Sequence, residues 1–144
     1  MSEEAIGIEK LQQMITRGPF NQWLNFTVMK AGEDGIEIKA AWRDEWVVNP
    51  ERRYTHGGIL AAIVDVAADY AIAARLGHPV PTIDLRVDYH KAAMPGDVTA
   101  KARVVRMGSQ YSTAEAYLYD PEGALVASGR GTYLTAAPKL KIDA

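Results

Sequence analysis

The chain has no cysteine among its 144 residues, so disulfide staples and thiol catalysis are both excluded. Cysteine absence suits a reducing compartment. The first residues, Met1-Ser2-Glu3-Glu4, lack the basic and apolar regions of a signal peptide, and a cytoplasmic protein is expected. No apolar run approaches the length of about 20 residues that a membrane-spanning helix needs. Charge of one sign is also missing: a formal net charge of −2 leaves neither a nucleic-acid footprint nor a polybasic membrane anchor. Histidine is sparse. His56, His78 and His90 form no helical pair with metal-ligand spacing, so no metal site is expected. Repeats, low-complexity tracts and linker-like segments are absent, and the length fits one domain with a sizeable core.

What is present is a concentrated signal in Tyr54-Thr55-His56-Gly57-Gly58-Ile59-Leu60-Ala61-Ala62-Ile63-Val64-Asp65. Two glycines stand where a helix begins, and a carboxylate follows inside an apolar run. A helix start offers unpaired N–H groups and the positive end of a dipole. Glycine lets a ligand approach that backbone. Burying an acid without a partner is costly, so Asp65 calls for a reason. One reason is structural, an ion pair with Arg86 or Arg103 across an interface. The other is chemical, as nucleophile or general base. Asp69, one turn later on the same face, reads as a solvated or salt-bridged acid; buried beside Asp65, one of the two would retain a proton.

The rest of the pattern frames this helix. A first helix is expected over about 3–17, capped by Ser2 and presenting Ala5, Ile8, Leu11 and Ile15, with Gly18-Pro19 ending it. Strands are expected over Leu24–Met29 and Ile36–Trp42, then a polar and aromatic loop over Arg43–Thr55. The central helix should run from Gly57 to about Leu76 and be buried nearly all round. Gly77-His78-Pro79 stops it. Four strands follow, Thr82–Lys91, Val98–Met107, Tyr111–Tyr119 and Leu125–Leu134. Short turns join the last three, which are therefore antiparallel. The fold class is α+β, an antiparallel sheet wrapped around a long central helix.

His56-Gly57-Gly58 with Asp65, then Thr82-Ile83-Asp84-Leu85-Arg86-Val87-Asp88-Tyr89, resembles the hotdog-fold acyl-CoA thioesterases, particularly the phenylacetate-degradation type. The turn Met94-Pro95-Gly96-Asp97 and the run Val126-Ala127-Ser128-Gly129-Arg130-Gly131-Thr132 are similar as well. The resemblance spans roughly Phe26–Thr135. It implies a homodimer or a homotetramer built as a dimer of dimers, with active sites at the dimer interface. It also implies an acyl-CoA substrate and no further cofactor. Asp65 takes the place of the catalytic acid, the Gly57 N–H that of the oxyanion donor, and Thr82 that of a polar helper. The family pattern has an asparagine six residues before the histidine; Pro50 stands there, and Asn49 is the nearest candidate.

Other candidates carry two readings each. His56 could fix the glycine turn or touch substrate, and Gly58 could bind substrate or serve packing. Arg52, Arg53, Lys91, Arg106 and Arg130 could meet the phosphates of coenzyme A or be solvated charges. Gly108 and Ser109 resemble a loop near the nucleotide, yet a hairpin turn needs the same residues. Tyr54, Trp42, Trp46 and Met94 could line an acyl pocket or pack the core. Two rival functions stay open: a thioester dehydratase-hydratase pairing His56 with Asp65 or Asp69, and a non-catalytic acyl-CoA-binding domain.

Overall fold

The computed structural model describes residues 5–138. Six strands, β1 (Phe26–Gly32), β2 (Gly35–Ala40), β3 (Thr82–Tyr89), β4 (Val98–Arg106), β5 (Tyr111–Tyr119) and β6 (Leu125–Leu134), form one antiparallel sheet in the order β1-β2-β4-β5-β6-β3. The sheet wraps around a 20-residue central helix, Gly57–Leu76. This is the expected architecture, with the expected helix bounds. Three shorter helical pieces, Ile8–Ile15, Pro19–Leu24 and a 3-10 turn at Asp44–Trp46, precede the central helix. In chain order the three helices are α1 (Ile8–Ile15), α2 (Pro19–Leu24) and the central α3 (Gly57–Leu76), with the 3-10 turn between α2 and α3.

Both ends of α3 are set locally. The His56 side chain caps the start, and Gly77 closes the end with φ 89°, a left-handed conformation that glycine adopts without cost. Between them alanine dominates. Ala67, Ala68, Ala71, Ala73 and Ala74 are buried, as are Ala100, Ala102, Ala114 and Ala116 of the sheet. Small residues on both layers bring helix and sheet close together. At Gly129 the approach is tightest, where a Cβ would collide with the Arg86 carbonyl and with Val64.

Several expectations are corrected. α1 starts at Ile8 behind Gly7, which offers no side-chain cap, and the expected Ser2 cap lies outside the described residues. Ile6 donates its N–H to Ala74 O at 2.8 Å, tying that segment to the end of α3, and Ile8 is left exposed while Leu11 and Ile15 are buried. Gly18-Pro19 ends α1 but also begins α2, with Pro19 in its first turn, where the missing N–H costs nothing. Asn25 closes α2 at φ 54°, so β1 starts at Phe26 rather than Leu24. The loop after β2 is less superficial than expected. Trp46 is wholly buried, edge-on to Trp42 at 5.6 Å.

The position of β3 matters most for function. Among the described residues it pairs only with β6, and its other side is a sheet edge without a described partner. Ile83 and Tyr89 on it are more than half exposed. An open edge with apolar side chains is an invitation to pair.

Candidate functional site

Two clusters form at different points along α3. The first surrounds its start. His56 Nδ1 accepts the Gly58 N–H at 2.7 Å. That acceptor role places the proton of the neutral ring on Nε2. Gly58 is the residue this cap demands, since a Cβ there would lie 2.9 Å from His56 Nδ1. The next two amides, Ile59 and Leu60, reach the His56 carbonyl at 3.0 and 3.3 Å. Only the Gly57 N–H at this helix start has no acceptor among the described residues. It stands in the wall of a cleft of about 420 Å³ with Tyr54, Thr55, Leu60, Tyr89 and Lys91. Tyr89, from the far end of β3, donates its hydroxyl to Gly57 O at 2.7 Å and fixes the peptide.

The second cluster lies two turns on. Thr82, at the start of β3, donates to Asp65 Oδ1 at 2.8 Å. Tyr133 of β6 donates to the same Oδ1 at 3.0 Å and reaches Asp65 O at 3.2 Å. Oδ2 has no protein partner among the described residues. Within the described chain no arginine pairs with Asp65. Arg86 turns to Asp88 at 3.4 Å and Arg103 to Glu115 at 2.6 Å.

Asp69 is largely buried and has no ion-pair partner among the described residues, contrary to expectation. It accepts the Val80 N–H at 3.0 Å. Burial pushes its carboxyl up to about 7, the Val80 bond opposes this, and the Asp65 charge adds to it. The fold thus favours the neutral form. The stability this gives is complete below the ordinary Asp value of 3.8 and is lost as pH rises through about 7. Asp69→Asn keeps the acceptor and removes the charge. The thermal midpoint of the wild type should therefore fall relative to Asp69→Asn between about pH 4 and pH 7. Parallel melting-versus-pH curves for the two proteins would refute this.

The remaining candidates separate by location. Asn49 Oδ1 accepts the N–H groups of Glu51 and Arg52 at 2.9 and 3.1 Å, so it shapes its own loop. No hydrogen bond joins it to Gly57, Asp65 or Thr82 among the described residues. Arg53 pairs with Asp44 at 2.9 Å, Lys91 with Asp120 at 3.6 Å, and Arg130 with the nearly buried Glu115 at 3.1 Å. Burial pushes the Glu115 carboxyl up, but bonds from Arg103 and Arg130 outweigh it and hold it low. Arg52 and Arg106 are exposed and have no such pairing among the described residues. Gly108 is required by its turn, where a Cβ would collide with Tyr111 O, and its N–H donates to Ser112 Oγ at 3.1 Å. Ser109 is exposed beside it. The register Ser112↔Tyr133↔Thr82 across β5, β6 and β3 puts this turn, with Arg106, Gly108 and Ser109, at the Asp65 end of the sheet. Tyr54 and Lys91 lie at the Gly57 end. Met94 is exposed, and the two tryptophans pack inside.

Tyr133 and Thr55 were not among the sequence candidates. The Thr55 hydroxyl is buried with no hydrogen-bond partner among the described residues. An unpaired buried hydroxyl costs about 1–3 kcal/mol. Thr55→Val, which keeps the shape, should raise stability by about 1 kcal/mol in denaturant melts; a destabilised variant would mean the hydroxyl has a partner.

Among the described residues no three His, Cys, Asp or Glu side chains could share a metal ion. Nor is any described helix long and apolar enough to cross a membrane.

Comparison with known proteins gives a consistent result. A provisionally assigned esterase of Halobacterium salinarum is 33% identical over 122 residues, covering 77% of this chain and 80% of the relative. The medium/long-chain acyl-CoA thioesterase YigI of Escherichia coli is 26% identical over 132 residues, 81% of this chain and 84% of the relative. A crystal structure of a thioesterase-superfamily protein superposes with a TM-score of 0.86 at 50% identity, covering 88% of this chain and 96% of that one. The E. coli PaaI protein from the phenylacetic acid degradation operon shares the fold, with a TM-score of 0.77 at 20% identity over 90% and 95% of the two chains. The Thioesterase superfamily profile matches residues 53–127, the stretch that holds both Gly57 and Asp65, and the chain belongs to that superfamily.

Proposed function

We propose that this protein hydrolyses an acyl-CoA thioester to the free acid and coenzyme A, at a site shared by two protomers. The observation that carries this reading is the state of Asp65. It is held through one oxygen by two hydroxyls, and among the described residues it has no cation and its other oxygen has no partner. Such a group is suited to attack a carbonyl or to take a proton from water. The Gly57 N–H complements it as a donor for the developing oxyanion, backed by the helix dipole.

One chain does not bring these two together on one substrate. Gly57 and Asp65 stand eight residues apart on one helix, about 12 Å along its axis. β3 runs between the same two ends, with Tyr89 at the Gly57 end and Thr82 at the Asp65 end. Pairing two free β3 edges antiparallel about a twofold axis sets the Thr82 end of one against the Tyr89 end of the other. Asp65 of one protomer then approaches Gly57 of its partner. The cleft of about 420 Å³ falls in the range of small-molecule pockets and supplies room for an acyl group.

In this reading the thioester carbonyl oxygen sits on the Gly57 N–H. Asp65 either adds to the carbonyl carbon, giving an acyl-enzyme that water cleaves, or removes the proton of an attacking water. The C–S bond breaks in both routes, and coenzyme A leaves as the thiol after protonation. Neither route needs a metal or a redox cofactor. Arg52 and Arg106, exposed and without an ion-pair partner among the described residues, are suited to the phosphates of coenzyme A. The resemblance to the phenylacetate-degradation type and the name of the E. coli relative direct attention to arylacetyl and to medium- and long-chain acyl groups respectively.

The test is thiol release from short-, medium-, long-chain, benzoyl- and arylacetyl-CoA. Turnover of at least one is expected. Binding without thiol release from any would overturn the hydrolase reading. An enoyl absorbance in its place would establish the hydratase.

A further inference from the structure

We propose that Tyr133 is a positioning residue. Together with Thr82 it clamps the Asp65 carboxylate by one oxygen, so that the other is presented to the substrate. The proposal rests on the hydrolase reading above and assigns a role to a side chain on the opposite strand of the β3–β6 pair.

The clamp is built by register. Thr82 and Tyr133 are direct cross-strand partners. Neighbours of this kind point to the same face of the sheet, here the face against α3. The tyrosine ring is fully buried and lies along its own strand over Gly131, where any Cβ would collide with it. That glycine therefore gives the ring its path toward the helix. At the end of the path the hydroxyl meets two acceptors, and both belong to Asp65: the carboxylate Oδ1 at 3.0 Å and the carbonyl at 3.2 Å. One phenol thus ties the carboxylate to the backbone turn that carries it. Thr82 approaches the same Oδ1 at 2.8 Å from β3. Among the described residues, two donors from two strands converge on one oxygen and none on the other.

The donor is also reliable. Burial foremost, and then the Asp65 charge, push the phenol's ionisation far above its ordinary range, so the hydroxyl holds its proton wherever the enzyme works. A phenylalanine would fill the same space. The hydroxyl's only described partners are the two atoms of Asp65, so removing it acts on that residue first. A carboxylate free to rotate spends less time in the reactive geometry, and misplacement of this kind is costly in rate.

The experiment compares wild type, Tyr133→Phe, Thr82→Val and the double variant in thiol release. The same tyrosine change is made on Asp65→Asn, and the crystal structure of Tyr133→Phe is determined. For Tyr133→Phe we expect kcat lower by about ten-fold with KM within about two-fold, as loss of a bond to a charged group implies. The double variant should lose more than either single one. On Asp65→Asn the tyrosine change should have no further effect, which a merely structural role would not produce. The Tyr133→Phe crystal should show Asp65 in more than one side-chain rotamer. Unchanged kcat with a single Asp65 rotamer would overturn the proposal. So would an equal loss on the Asp65→Asn background. If the wild type releases no thiol, the hydrolase reading fails, and the Asp65 rotamer in Tyr133→Phe alone decides whether the clamp exists.

Discussion

Asp65→Asn should lower the rate of thiol release on the order of 10³-fold while leaving the fold intact. The substitution changes almost nothing but charge. The asparagine carbonyl can still accept from Thr82 and Tyr133, which reach Asp65 Oδ1 at 2.8 and 3.0 Å, so the packing around the helix is kept. An amide is neither a base for water nor a nucleophile toward a thioester at neutral pH, and both routes stop together. Substrate affinity should hardly move, because binding is assigned to the cleft and the Gly57 amide, so the loss belongs in kcat. A second signature is available without substrate. The Asp65 charge is one of the influences holding the Asp69 carboxyl high. Removing it should lower the Asp69 titration, which carboxylate NMR can follow. Retention of wild-type kcat in Asp65→Asn would remove the acid from the chemistry and with it the whole reading of this helix.

How much of this was legible in the sequence depends on the range of the interaction. The bounds of α3 were, because their causes are local: a capping histidine, a glycine pair and a terminating Gly77. The role of Asp65 was legible as an anomaly, a carboxylate in an apolar run. Pairing order was not. β3 precedes β4 in the chain but joins β6 instead, and nothing within β3 announces that partner. Tyr133 went unnoticed for the same reason. The family-like run was read up to Thr132, and the next residue looks like one more aromatic in a buried strand. Its function comes from standing opposite Thr82, 51 positions earlier in numbering. α2 was missed because six residues are too few to show a period. Arginines could be counted but not assigned. Arg130 and Arg103 are absorbed by Glu115, a partner visible only once β4, β5 and β6 are in register.

Gly57→Pro should lower kcat by roughly 10²–10³-fold, the usual cost of one oxyanion donor, whereas Gly57→Ala should retain most activity. The pair isolates a backbone atom. Proline at the first position of a helix is well tolerated because its missing N–H has no intrahelical partner. It also asks for an extended residue before it, and His56 already has φ −57° and ψ 132°. The proline therefore deletes the Gly57 N–H with little strain. Alanine introduces the same Cβ, 3.3 Å from the exposed Tyr89 ring, yet keeps the donor, so any loss from crowding is measured separately. If both variants fall equally, the amide is not the donor. The proline variant also tests the shared site. Gly57 and Asp65 lie about 12 Å apart on one helix, so a working site must draw them from two chains. Mixing Gly57→Pro with Asp65→Asn protomers, each nearly inactive alone, should then restore activity. Random pairing makes half the dimers mixed, and each mixed dimer holds one intact site of two, so about a quarter of wild-type activity is expected. A single-chain site would recover none, whatever the extent of subunit exchange, and exchange itself can be verified with differently tagged protomers.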